Sequence, residues 1–356
     1  MPGYSIQSSV MIDTVTANIR FGEIVPQPAY TPRHSMNRSL LKIRHRLRHA
    51  LVLLTWVASP AHSETFLLPP ADVDVVGRVE YTTAGRDDTL LDIARRYGIG
   101  QNEILHANPD VDRWLPADNS RVVLPSRYII PDAERTGVIL NLPEMRLYYF
   151  PKTKKDAAPQ LITHPISVGR MDWNTPLGNT KIVSKQKNPS WRPPESIKKE
   201  ALEDGKVLPD VIPAGPDNPL GLYAMRLGVP GYLIHSTNKP YGVGMRVTHG
   251  CIRMYPEDIE GLFADIPVGT PVHIVNQPIK LGWMAGGLFL ELHPPLDEDL
   301  PEYENYLQRV LDKVADMIAA HPEWSELNDN RSLSLNGAAL RKAVEEKSGI
   351  PDLISR

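Results

Sequence analysis

Seven short segments between residues 138 and 275 are rich in β-branched and aromatic residues and have turn-forming residues at their ends. They predict strands at 138–142, 146–150, 161–168, 179–183, 222–227, 232–235 and 272–275. Pro143-Glu144, residues 152–156 and residues 174–178 supply the turn signals between the first four. Because little helix separates these strands, the pattern favours a mostly antiparallel β-sandwich or barrel.

Two other regions lack this strand pattern. Residues 188–220 contain seven prolines without any periodicity, and a loop of this length is typically a binding element or a lid, with a disordered insertion as the alternative. After residue 276 an apolar stripe at helical spacing predicts a helical C-terminal region at 277–356, and we interpret the stripe as core packing. It consists of Tyr303, Leu307, Val310, Val314 and Met317.

The N-terminal part reads as an export signal. Five basic residues between positions 38 and 48 precede an apolar run at 50–58 and small residues at 61 and 63. The run is too short to cross a bilayer, so residues 1–63 are predicted to hold a cleaved signal peptide, with an uncleaved anchor as the alternative. We therefore expect a periplasmic protein without a transmembrane segment after cleavage.

The next stretch suggests a small separate unit. Residues 64–78 have no helical period and are predicted to be a linker. Residues 79–126 then give a strand, a helix with Leu90, Ile93 and Ala94 on one face, a second short helix and a returning strand. This βααβ order resembles a LysM carbohydrate-binding module, and a packing subdomain without glycan binding is the alternative.

Charge and cysteine content restrict the partners and the chemistry. The formal net charge of −3 carries no signature of nucleic-acid binding, which usually requires a basic patch. An exported chain with one cysteine cannot form an internal disulfide, so Cys251 is a candidate reactive thiol.

The segment around Cys251 contains what a cysteine nucleophile needs. His235 ends the predicted strand 232–235, and sixteen positions later Cys251 lies within Thr248-His249-Gly250-Cys251-Ile252-Arg253. An imidazole could accept the thiol proton, and successive amides at Gly250 could stabilise an oxyanion. A structural zinc site would need four ligands, and the usual Cys-x-x-Cys spacing is absent. A merely buried cysteine is the default for this residue, but the neighbouring glycine and the Arg253 charge make it less favoured. No metal or other cofactor is expected.

These motifs together resemble the L,D-transpeptidase catalytic domain, also called YkuD, of bacterial peptidoglycan enzymes. The resemblance spans about residues 134–276. It includes Val168-Gly169, Thr175-Pro176-Leu177-Gly178, residues 188–194, residues 242–246 and Pro256-Glu257-Asp258-Ile259. Many members have Gly where this chain has Ser236 and Ser where it has Thr248; Ser236 can still present its backbone carbonyl, and Thr248 keeps the hydroxyl.

The resemblance implies a β-sandwich catalytic domain and a role for each site residue. Cys251 would attack a tetrapeptide stem, His235 would act as the base and the Ser236 carbonyl would hold its ring. Amides of Gly250 and Cys251 would bind the oxyanion, and Arg253 would pair with a stem carboxylate or brace the loop. The further substrate-binding candidates are His249, which we expect to line the pocket rather than act as a second base, Thr248, Tyr223, Trp191 and Asn238.

The implied partners are peptidoglycan stem peptides, and the thioester could be resolved by a diaminopimelate amine or by a lysine of an outer-membrane lipoprotein. Resolution by water is the nearest alternative, giving a carboxypeptidase or an amidase. A noncatalytic wall-binding protein that acts through residues 79–126 is the second alternative.

Overall fold

The computed structural model describes residues 64–320 and 334–355. The predicted signal peptide at 1–63 lies outside these residues. Within the described ranges, no helix is both long enough and apolar enough to cross a bilayer.

The described chain contains more residues in strands than in α-helices. The helices are α1 (Leu90–Arg96), α2 (Gln101–Ala107), α3 (Glu195–Glu203), α4 (Pro256–Asp265), α5 (Tyr306–Ala320) and α6 (Gly337–Glu346). The strands are β1 (Glu64–Leu67), β2 (Val75–Gly77), β3 (Glu80–Thr83), β4 (Arg121–Leu124), β5 (Arg127–Ile129), β6 (Gly137–Asn141), β7 (Arg146–Phe150), β8 (Gln160–Pro165), β9 (Val168–Gly169), β10 (Gly178–Lys187), β11 (Tyr223–Leu227), β12 (Leu233–His235), β13 (Arg246–Thr248), β14 (Ile252–Arg253), β15 (Pro271–Val275), β16 (Ile279–Met284), β17 (Gly287–Leu292) and β18 (Asp352–Leu353).

Nine of these strands form one sheet in the order β1-β8-β7-β6-β15-β10-β11-β12-β14. Its neighbours are antiparallel except for the parallel pairs β6–β15 and β12–β14. The β-rich catalytic domain is thus confirmed. β10 extends to Lys187, beyond the predicted 179–183, and at 161–168 β8 and β9 replace the single predicted strand. The chain leaves the sheet there because Ser167 exchanges two backbone hydrogen bonds with Arg253, at 2.9 and 3.1 Å.

The central strands are buried on both faces. Val138 and Leu140 of β6 and Leu147 of β7 share a core with Ile234 and Ile259, so the sheet curls around α4. Every residue of β6 and β7 is buried, because the alternate side chains point into a second core under β2 and β5.

The segment 64–78 is not a linker. β1 pairs with β8 at the edge of the main sheet, and β2 pairs with β5. Val75 and Val76 are buried, and prolines between the two strands hide this pattern in the sequence. Apolar contacts therefore fix the segment against the catalytic domain.

Residues 79–126 have the expected βααβ order. β3 and β4 are antiparallel, and Thr89 caps α1 in a capping box with Asp92. The unit packs on the catalytic domain through ion pairs of Arg95 with Glu257, at 2.8 Å, and of Glu103 with Arg146, at 2.7 Å. The second pair is buried, which makes this unit part of one body with the sheet.

The C-terminal region is mixed α/β, not helical as predicted. β16 and β17 form a hairpin extended by β18, and α5 and α6 pack on it around Val310 and Leu340. The sequence pattern does not predict β16 and β17 as strands, because each buries a charged residue, Lys280 in β16 and Glu291 in β17. Lys280 Nζ lies 2.6 Å from Glu291 Oε1. This ion pair allows charged residues at buried strand positions where an apolar residue is expected from the sequence.

Candidate active site

The parallel pair β12–β14 places the predicted catalytic residues on one face of the sheet. Ile234 lies opposite Ile252, and both point into the core, whereas His235 lies opposite Arg253. Since side chains alternate along a strand, Cys251, two residues before Arg253, shares the face of His235 and Arg253. The thiol of Cys251, the imidazole of His235 and the guanidinium of Arg253 therefore lie on the same outward face of this strand pair.

These groups line a half-open cavity of about 520 Å³. One wall comes from the proline-rich segment 188–220, whose helix α3 presents Ile197 and Glu200 to the cavity. Other lining residues are Trp173, Trp191, Pro194, Ala201, Asp204, Lys206, Leu208, Pro219, Leu220, Gly231, Tyr232, Leu233, Lys239, Thr248 and His249. The segment is thus an ordered wall of this cavity and not a disordered insertion.

The His235 ring is held as a neutral base. Its Nδ1 lies 2.5 Å from the Ser236 carbonyl oxygen, which fixes the ring orientation, and the Ser236 amide donates to the Tyr223 carbonyl at 2.9 Å. Burial, followed by the nearby Arg253 charge, lowers the pKa of His235 to about 3, against smaller opposing effects of the Ser236 and Leu220 carbonyls. The imidazole is therefore uncharged at neutral pH and available to accept a proton.

The Cys251 thiol is also neutral at rest. Burial raises its pKa, and this effect exceeds the lowering by the Leu233 amide and by the Arg253 and Arg226 charges. The sulfur lies 3.7 Å from the Gly231 carbonyl oxygen. The thiol and the His235 imidazole line the same cavity.

Arg253 is a cation without a carboxylate partner in residues 64–320 and 334–355. Its side chain is half-buried, its Nε is fully enclosed without a hydrogen bond to any of these residues, and burial lowers its pKa. The loop-bracing ion pair considered from the sequence is absent from the described part of the chain. The guanidinium faces the cavity and is available to an anionic group of a ligand.

Gly250 allows the backbone to turn at the cysteine. It has φ +93°, and a Cβ there would lie 2.7 Å from Tyr232 Cε1, so a larger residue is excluded on both counts. Its amide donates to Thr248 Oγ1 at 3.2 Å, and Thr248 Oγ1 donates to the Cys251 carbonyl at 2.6 Å. The expected oxyanion donor at Gly250 is thus shared with the Thr248 hydroxyl.

His249 lies at the cavity wall in contact with α3. Its Nε2 is 2.9 Å from Glu200 Oε2, and the Trp173 ring packs edge-on against it with 4.9 Å between centroids. Glu200 also accepts a hydrogen bond from Arg170 at 2.5 Å. Sequence reasoning missed Glu200, Trp173 and Arg170; the last two flank the recognised Val168-Gly169 and Thr175–Gly178 strings, but Glu200 gave no signal.

Of three further substrate-binding candidates, Trp191, Tyr223 and Asn238, one lines the cavity and two do not. Trp191 lines the cavity. Tyr223 does not: its neighbour Ala224 pairs with His235, so Tyr223 points to the opposite face, where it packs on Phe263 and donates to Glu260 at 2.6 Å. Asn238 is exposed and lies outside the lining, although the next residue, Lys239, lines the cavity.

Outside this cavity, a cluster of side chains could act as metal ligands, but the ammonium of Lys280 lies among them. Glu144, Glu291 and His293 bring ligand atoms within 4.8 Å of one another. The Lys280 ammonium lies 2.8 Å from Glu144 and 2.6 Å from Glu291. A cation of the protein thus occupies the position between the carboxylates.

A thiol and a neutral imidazole in one cleft are groups that cysteine-dependent acyl transfer uses, and Arg253 adds a cation to the same cleft. Comparison with known proteins agrees. Residues 135–274 match the family model of the L,D-transpeptidase catalytic domain, YkuD. The chain is 38% identical to the probable L,D-transpeptidase YcfS of Escherichia coli K12 over 273 residues, covering 74% of this chain and 84% of that protein. It is 37% identical to the probable L,D-transpeptidase ErfK/SrfK of the same strain, covering 82% and 91%.

Among solved structures, the catalytic domain of Enterococcus faecium L,D-transpeptidase is similar at a TM-score of 0.30 and 22% identity, covering 41% of this chain and all of that domain. The extent and identity of the sequence matches show that the chain belongs to the L,D-transpeptidase family. It is thereby an enzyme of peptidoglycan L,D-transpeptidation.

Proposed function

We propose that Cys251 is the nucleophile that takes an acyl group from a peptidoglycan tetrapeptide stem and transfers it to an amine. The observation that carries this assignment is the placement of Cys251, His235 and Arg253 on the cleft face of β12 and β14. No other cysteine is present in the chain.

In the proposed acylation step, the thiol proton passes to His235 as the sulfur attacks the carbonyl at the L-centre of diaminopimelate. The C–N bond to D-alanine then breaks, and His235 returns the proton to the leaving amine. The neutral ring supports this role, because the Ser236 carbonyl holds its Nδ1 and burial keeps the imidazole uncharged.

Substrate carboxylates would be bound by Arg253, whose guanidinium lacks a carboxylate partner in the described residues. The amides of Gly250 and Cys251 would stabilise the oxyanion, with Thr248 releasing or sharing the Gly250 amide. Trp191 would border the stem peptide. The acceptor is an amine of a second stem, giving a 3-3 cross-link, or a lysine of an anchored lipoprotein.

The proposal includes export to the periplasm by the signal within residues 1–63. It also includes glycan binding by the LysM-like unit at 79–126. Support for the second point comes from two adjacent apolar side chains of this unit, Trp114 and Leu115, which are 62% and 75% exposed. Trp114→Ala should then weaken binding to purified sacculi, and unchanged binding would contradict a glycan site at this tryptophan.

The nucleophile is tested with a purified tetrapeptide donor and a diaminopimelate acceptor. The wild-type enzyme should release D-alanine and form the cross-linked product, and Cys251→Ala should do neither. A carbapenem, which imitates the acyl donor, should add one covalent mass at Cys251. Cross-linking by Cys251→Ala would refute the assignment, and D-alanine release without amide formation would identify a carboxypeptidase.

A further inference from the structure

When the acceptor amine resolves the thioester, it loses two protons, and His235 can accept only one of them. An amine with a pKa near that of lysine, about 10.4, enters the cleft as an ammonium ion. It must lose one proton before it can attack the thioester and a second after the C–N bond forms. His235 can take the second proton and deliver it to the departing sulfur, so the first requires another acceptor.

The cleft contains a second imidazole, that of His249. His249 Nε2 lies 2.9 Å from Glu200 Oε2, so the carboxylate selects the tautomer with a proton on Nε2. Nδ1 has no hydrogen-bond partner in the described residues and keeps a free lone pair. The His249 side chain is 25% solvent-exposed. It lines the same cavity as Cys251 and is accessible from it.

Glu200 is held as a carboxylate. Hydrogen bonds from Arg170 and from His249 lower its pKa. The carboxylate on Nε2 fixes the tautomer and the orientation of the His249 ring, with Nδ1 as the acceptor. The Trp173 ring packs on His249 and fixes its plane. The other charged groups of this cleft are Asp204, Lys206, Lys239 and Arg253.

We propose that His249, oriented by Glu200, takes the first proton from the acceptor ammonium. This inference rests on the proposed function and assigns His249 as an additional catalytic residue and Glu200 as its positioning residue. It replaces the expectation that His249 only lines the pocket.

The proposed step balances as follows. The ammonium gives one proton to Nδ1 of His249, and the amine attacks the thioester carbonyl. The nitrogen then gives its second proton to His235, the C–S bond breaks, and His235 protonates the sulfur. The products are the amide, the free thiol and one proton, which the His249 imidazolium releases to solvent.

The test is a competition between two acceptors for the same thioester. The tetrapeptide donor is supplied with Nα-acetyl-lysine and hydroxylamine together, and the ratio of lysine amide to hydroxamate is measured. Hydroxylamine is largely unprotonated at neutral pH and needs no prior deprotonation. Since both products come from one acyl-enzyme, the ratio does not depend on the fraction of folded protein or on the acylation rate.

His249→Gln and Glu200→Gln should each lower the amide-to-hydroxamate ratio, by about 100-fold for His249→Gln, the size expected for loss of a general base. Glu203→Gln is the matched control, because Glu203 is an exposed carboxylate on the same helix that lies outside the cavity lining. Its ratio should equal that of the wild type.

An unchanged ratio in His249→Gln would overturn the inference, as would an equal fall in Glu203→Gln. These results differ from a failure of the proposed function itself. Wild-type enzyme that forms hydroxamate but no lysine amide would contradict amine transfer, and with it this inference. Wild-type enzyme that releases no D-alanine would contradict the acylation step.

Discussion

His235 and Arg253 lie directly opposite each other in the parallel pairing of β12 and β14. The guanidinium contributes to the low pKa of the imidazole, after burial, and one face of the sheet thereby keeps the base uncharged beside a fixed cation. A catalytic histidine paired with a carboxylate would behave in the opposite way, because the acid would favour the imidazolium. We draw four predictions from this arrangement and from the backbone around it.

The rate of acylation should show no inflection near pH 6.5, where an ordinary imidazole titrates. With a pKa of about 3, His235 remains a competent base throughout the weakly acidic range, and the thiol remains protonated. The test is the rate of Cys251 modification by a carbapenem from about pH 5 to about pH 9. A loss of rate below an inflection near 6.5 would show that His235 titrates normally.

Acidification should destabilise the fold through the same histidine. Because the pKa of His235 is lowered from 6.5 to about 3 on folding, the unfolded state binds the extra proton between these values. The stabilisation is complete above about pH 6.5 and is lost as the pH falls, by up to about 1.4 kcal/mol per pH unit. Urea unfolding at several pH values measures this slope.

His235→Asn should flatten that slope, whereas Cys251→Ala, which alters the cavity but keeps the imidazole, should retain it. An equal slope in the wild type and in His235→Asn would show that other groups cause the acid sensitivity.

Arg253 should select donors with a free carboxylate. Loss of a charge-assisted hydrogen bond costs about 2 kcal/mol, or about 30-fold in kcat/KM. Arg253→Gln should show this loss with the natural stem peptide but little further loss when the contacted carboxylate is amidated. Arg253→Lys keeps the charge and should recover part of the activity. If amidated and free donors lose activity equally, Arg253 does not bind the carboxylate.

Gly250→Ala should destabilise the protein by about 1–3 kcal/mol, because a side chain at φ +93° is strained and its Cβ would lie 2.7 Å from Tyr232. Gly261→Ala is the matched control. Gly261 lies in α4 and has no positive φ, and a Cβ at this position would meet nothing within 4 Å, so alanine there should be neutral or stabilising. The comparison is made by thermal unfolding, and an equal effect of both substitutions would contradict the steric account.

Local patterns determined much of the architecture. β-branched and aromatic residues together with turn residues located most strands of the main sheet, and the apolar face formed by Leu90, Ile93 and Ala94 located α1. The pattern failed at 64–78, where prolines interrupt short strands that are stabilised by pairing with β8 and β5. It failed again at β16 and β17, because the inward Lys280 is neutralised by Glu144, which lies far away in the sequence.

The sequence by itself determined the candidate reacting groups: one cysteine, a histidine at a strand end sixteen positions earlier, and a glycine between Cys251 and His249. Only the tertiary structure decided their states and neighbours. The protonation of His235 follows from burial and from the opposite strand, the contact of His249 with Glu200 joins the loop before Cys251 to α3, and the absence of Tyr223 from the cleft follows from strand register. Dielectric environment and long-range proximity arise when distant segments pack together, and no local pattern of residues contains them.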